Sequence, residues 1–223
     1  MQEITEVSSF EDAWKVLRKH FTEQGGLLDQ MEHGRKVLVS LGDQPEEYQE
    51  LRDIKAALEI IHQSWGTTDT LPKWQVCLLW RVAPRLENML RYTAEPLPIH
   101  ILHSKILKWI DNALSMYDQM IRNPESLIAH DVAMHMMALK SFTTELRFGR
   151  IDSPAFEELI QAVEVLQHFW RGRLTVPRLG ARLLLFAPLE SWDLKIYTDE
   201  QKARLQGMKQ RLYALIEACF CED

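Results

Sequence analysis

Eight histidines and 32 carboxylates give this 223-residue chain the raw material for acid–base or metal chemistry, so their spacing comes first. Glu59-x-x-His62 has the spacing of carboxylate-bridged di-iron bundles, because residues three apart on a helix point the same way. Asp131 and His135 form a second pair one turn apart, and His103 would supply a fifth ligand. Such bundles also need a second Glu-x-x-His and two further inward glutamates, which the sequence lacks. A helical-bundle metalloenzyme centred on Glu59, His62, His103, Asp131 and His135 is therefore the second expectation, behind a reading with no cofactor.

Other chemistry finds less support. His130-Asp131 is similar to the central pair of the HD phosphohydrolases, a family that also requires an upstream histidine and a downstream aspartate. His103 and Asp152 stand in those directions, but the flanking residues do not match. There is no Gly-x-Ser-x-Gly elbow and no phosphate loop. Cys77 lies in the apolar run Val76 to Trp80 and reads as inert packing. Cys219 and Cys221 read as exposed terminal thiols without a fixed base. An odd set of three cysteines makes no disulfide framework, which points to a reducing, cytoplasmic setting.

The strongest functional lead is a basic and apolar stretch. Arg171, Arg173, Arg178 and Arg182 fall within 12 residues, and Leu183 to Phe186 follow directly. No acidic side chain occurs between Glu164 and Glu190. Arginine forks suit carboxylates and phosphates. Arg171, Arg173, Arg178, Arg182, Leu183 and Phe186 are therefore the expected partner-binding residues. A small-ligand pocket near Pro84, lined by Trp80, Met89 and Trp109, is a further expectation.

The elements that must position these residues are helices. Ser9 precedes Phe10-Glu11-Asp12 as an N-cap, and Gly25-Gly26 closes that segment. Leu27 to Leu41 ends at Gly42. Pro45 opens a third helix that Gly66 ends. Pro72 opens a fourth, to Tyr92, in which the Pro84 ring must clash with the Trp80 carbonyl and kink the helix. Further helices are expected over Ile99–Ile121, Pro124–Phe148 and Ser153 to Gly172. Thr198 with Gln201 reads as a capping box for a last helix to Cys221. Residues 173–197 read as irregular with room for a short helix. The Pro124–Phe148 pattern is apolar on two sides, through Ile128, Val132, Met136, Leu139, Phe142 and Leu146 and through Met134, Met137 and Phe148. It is expected to be the most buried helix. Of seven tryptophans, Trp65, Trp109 and Trp170 fall on core stripes. No internal repeat and no low-complexity segment stands out. The expectation is one all-α domain over residues 1–223, a bundle of about seven or eight helices.

Composition excludes several classes. Hydrophobic residues at 46% and charged residues at 26% describe a globular chain. No apolar run approaches the roughly 20 residues of a membrane span, and the acidic Met1-Gln2-Glu3 start carries no expectation of a signal peptide. The net charge of −6 is concentrated: residues 1–60 hold 13 acidic and 7 basic side chains, and the remainder is balanced. An acidic pole disfavours nucleic acid, which would be met only through residues 171–182. The expected function is a non-enzymatic helical interaction or regulatory protein, a subunit or adaptor that binds a protein partner or a second copy of itself.

Overall fold

The computed structural model describes residues 7–33, 48–92, 96–115, 124–137, 142–186 and 196–221. The expected segment around Pro45 and the stripe residue Leu139 lie outside them. Of Met134, His135, Met136, Met137 and Phe186 only the helical backbone position is described.

The fold is all-α apart from one small sheet. The elements are α1 (Phe10–Phe21), α2 (Leu27–Glu32), α3 (Gln49–Trp65), β1 (Thr70–Pro72), α4 (Lys73–Trp80), α5 (Val82–Tyr92), α6 (Pro96–Leu114), α7 (Pro124–Met137), α8 (Phe142–Arg147), α9 (Ser153–Trp170), β2 (Thr175–Pro177), α10 (Arg178–Phe186) and α11 (Asp199–Phe220). Local chemistry sets the boundaries. The Ser9 hydroxyl accepts from Asp12 N–H, and Thr198 with Gln201 closes a full capping box. The α9 cap is Asp152, one residue before the expected Ser153; its carboxylate accepts from Ala155 N–H. Pro84 acts as foreseen in a sharper form. The helix expected through Tyr92 is broken at Arg81, next to the Trp80 carbonyl that proline cannot use.

The chain divides into two compact units, residues 1–67 with 78–116 and residues 68–77 with 117–223. In the first, α1 packs on α3, α3 on α6, α5 on α6, and α2 on both α1 and α5. Its core includes Leu17, Phe21, Ile54, Ile61, Ile106 and Ile110, with Trp14 and Trp65 rings 6.0 Å apart. Gly26 is required at the α1–α2 turn, since a Cβ there would lie 2.0 Å from the Lys19 carbonyl oxygen. Arg85 ties α5 down with two bonds to the Glu32 carboxylate, at 2.8 and 2.7 Å, and a third to the Phe21 carbonyl.

In the second unit α7 packs on α8, α9 and α10, and α9 on α11. The helix is central in its packing but not buried all round. Ser126, Ala129, Val132 and Ala133 face inward, whereas Leu127 is exposed and Phe148, placed on the expected second stripe, is 69% exposed. The Trp170 ring stacks on Phe220 at 5.6 Å, and Gly180 leaves room for it, since a Cβ would sit 3.1 Å from the indole. The segment expected to be irregular holds β2 and α10. β1 and β2 pair antiparallel with Leu71 opposite Val176, so the extended Thr175-Val176 piece finds its partner 105 positions upstream.

That offset uncovers a repeat the sequence reading missed. Shifted by 105, residues 49–80 align without a gap on 154–185, matching Ala57 with Ala162, Glu59 with Glu164, Trp65 with Trp170, Thr70 with Thr175, Pro72 with Pro177, Leu78 with Leu183 and Leu79 with Leu184. Helix α3, strand β1 and helix α4 thereby coincide with α9, β2 and α10. The buried positions Leu51, Ile54, Leu58, Ile61 and Trp65 coincide with Phe156, Leu159, Val163, Leu166 and Trp170. With a shift of 106, buried Ile106, Ile110, Ala113 and Leu114 of α6 match buried Leu212, Ile216, Cys219 and Phe220 of α11. The α3–α6 and α9–α11 pairs are two versions of one building block.

Candidate functional site

The arginine-rich stretch is taken apart by folding. Arg178 is fully buried at the start of α10, so it cannot reach a partner as expected. Burial holds its guanidinium below the usual arginine value, and Arg182 adds repulsion. Leu184 and Leu185 are core residues, while Arg182 and Leu183 are half-buried. Arg173 donates at 2.7 Å to Glu125, whose other carboxylate oxygen accepts from the Trp170 indole at 3.1 Å. Arg171 remains at the surface, lining a cleft of about 720 Å³ with Glu164, Gln167, His168 and Cys221. Beside it Leu174 is 87% exposed, and its carbonyl accepts from the N–H of Lys73, next to half-exposed Trp74.

The cysteines also depart from expectation. Cys77 of α4 and Cys221 after α11 form a disulfide, with Cα atoms 5.3 Å apart and a sequence separation of 144 positions. Cys219 is buried and outside any disulfide, its thiol 3.9 Å from the Val163 carbonyl oxygen. Neither terminal cysteine is the exposed thiol foreseen, and the bond removes the support that cysteine count gave to a reducing compartment. No helix among the described residues is long and apolar enough to cross a membrane.

The expected metal ligands take separate roles. Glu59 and His62 line one cleft, with His62 Nδ1 3.3 Å from the Ala113 carbonyl oxygen. His103 is buried on α6. Asp131 is exposed on α7, 4.0 Å from neighbouring His130. Among the described residues no three His, Cys, Asp or Glu side chains gather closely enough to hold a metal ion.

The cleft holding Glu59 and His62 lies between α3 and α6 and has a volume of about 780 Å³. One wall carries Arg52, Lys55, Glu59, His62 and Gln63; the other carries Lys105, Lys108, Trp109 and Asn112. Both sets follow helical spacing, so each helix turns one face into the cleft. Among the described lining residues four cations accompany one carboxylate, Glu59, and Lys55 lies 3.9 Å from it. The residues expected to line a pocket near Pro84 go to different places. Trp80 and Met89 are buried core, and Trp109, read as core, is half-buried in this α3–α6 cleft instead. Sequence reasoning missed the four cations because each helix contributes only a pair three residues apart, too sparse to notice along the chain.

Compared with known protein families, curated proteins and solved structures, the chain matches none.

Proposed function

We propose that this protein is a non-enzymatic helical interaction protein, an adaptor or regulatory subunit, that docks an acidic and apolar segment of a protein partner at the Arg171–Leu174 corner of its second unit. The observation that carries the reading is Leu174, held 87% exposed at the rim of the two-stranded sheet. Trp74 adds a half-exposed indole on the adjoining segment, and Phe169 is 40% exposed at the end of α9. Tryptophan and arginine dominate the energetics of protein interfaces, and an apolar centre with a charged rim is their common anatomy. Charge selects the partner: Arg171 stands at the surface beside the apolar side chains, while Arg173 is already held by Glu125.

The test is quantitative capture from the native cell with the wild-type chain and with Leu174→Asp in parallel. The reading expects a stoichiometric partner that the variant loses while its unfolding curve is unchanged. Identical capture profiles would contradict it. Sedimentation of both proteins distinguishes a foreign partner from a second copy of the chain.

A further inference from the structure

The repeat allows one groove to be read against its counterpart. In the second unit Arg211 of α11 bonds Glu157 of α9 through both carboxylate oxygens, at 2.7 and 2.9 Å, and approaches Glu164 at 3.9 Å. These groups tie the two helices together by opposite charge. In the first unit Lys105 stands at the position of Arg211, but Arg52 stands at the position of Glu157. The ion pair has become two cations lining one cleft. Ile160 is replaced by Lys55, Ala214 by Lys108 and Leu215 by Trp109. These four changes add positive charge or an aromatic plate, and the cleft they line has a volume within the range of about 300–1,000 Å³ usual for small-molecule sites. Like charges repel across a cleft, and a bound anion would replace that repulsion with attraction.

We propose that the α3–α6 cleft is a binding site for a nucleoside polyphosphate. Arg52, Lys55, Lys105 and Lys108 receive the phosphates, because an arginine fork and three ammonium groups suit multiply charged oxyanions. The Trp109 indole stacks on the base, and the amides of Gln63 and Asn112 offer donors and acceptors to its edge. The site is separate from the protein-docking corner and does not depend on it.

The test is calorimetric titration of the intact chain with ADP and with pyrophosphate, each without divalent metal, at low and at high salt. One-to-one ADP binding that weakens as salt rises, with weaker pyrophosphate binding, is expected. The decisive variant is Arg52→Glu, which installs the residue of the second repeat opposite Lys105. It should weaken ADP about tenfold or more while leaving the melting temperature unchanged or raised. Trp109→Leu, again the residue of the second repeat, should weaken ADP but not pyrophosphate. No ADP binding by the wild-type chain would overturn the proposal, as would undiminished binding by Arg52→Glu. An acidic peptide that binds while neither phosphate does would overturn it in favour of a protein ligand. Equal loss of ADP and pyrophosphate in Trp109→Leu would remove the base-stacking role.

Discussion

The α3–α6 and α9–α11 helix pairs share a buried stripe and differ at the groove between them. The second pair carries an Arg211–Glu157 ion pair across its groove, beside a cleft of about 720 Å³. In the first, Arg52, Lys55, Lys105 and Lys108 surround an open cleft. The same contrast runs through the charged residues of the whole chain. Four arginines crowded between 171 and 182 are dispersed on folding into one buried, one half-buried, one paired with Glu125 and one at the surface. Four cations spread from 52 to 108 are collected. Density along a chain is therefore a poor guide to density in space. In a helical protein the spacing within each helix and the pairing of helices decide which charges meet.

The largest test of this contrast lies in the dispersed arginines. Arg178→Ala should cost about 3–5 kcal/mol, since it empties a buried site and strips neighbouring groups of a partner. Arg171→Ala, seven residues earlier in the same cluster, should change stability by no more than about 0.5 kcal/mol. Urea unfolding of the two variants measures both, and equal effects would break the distinction between core and surface arginine.

A second difference between the units is covalent. The Cys77–Cys221 bond lies wholly within the second unit and closes a long loop. Replacing Cys221 with Ser should lower unfolding free energy by about 2–4 kcal/mol, mainly through a less constrained unfolded chain. Reductant should do the same to the wild-type chain and nothing further to the variant.

The first unit instead carries an acid-sensitive weak point. His20 is buried on α1 with neither ring nitrogen hydrogen-bonded, and burial holds its pKa below the ordinary 6.5, with Lys19 adding to the effect. The unfolded chain then binds the proton more readily than the folded one. Its contribution is fully present above about pH 6.5 and is lost as pH falls below that value toward the lowered folded pKa. The slope cannot exceed about 1.4 kcal/mol per pH unit for one proton. Stability profiles of wild type and His20→Leu over that interval measure the difference, and parallel profiles would contradict it.

Much of the fold was legible because its signals are local. Ser9, Thr198 with Gln201, and the break forced by Pro84 depend on residues within one turn of each other. The disulfide was not legible, because an odd cysteine count says nothing of which two cysteines tertiary packing brings together. The repeat was hidden by substitutions that keep burial and change identity: Leu51 for Phe156, Ile54 for Leu159, Leu58 for Val163. Each preserves a core position at the cost of sequence likeness. The cleft was half legible. Glu59 and His62 were picked out by their spacing, but the chemistry assigned to them was metal binding. The cations facing them belong to a helix about fifty residues away in sequence, and only the packing of α3 on α6 brings the two together.

The central claim is that the charges gathered in the first unit, rather than the dense arginines of the second, bind a small polyphosphate. Amide and indole nuclear magnetic resonance shifts during an ADP titration test it most directly, with the Trp109 indole signal assigned by its loss in Trp109→Leu. Saturable shifts at Trp109, Lys105 and Arg52, with Arg171, Arg173 and Leu174 unmoved, are the expected result. Shifts confined to residues 171–174, with Trp109 silent, would contradict the account.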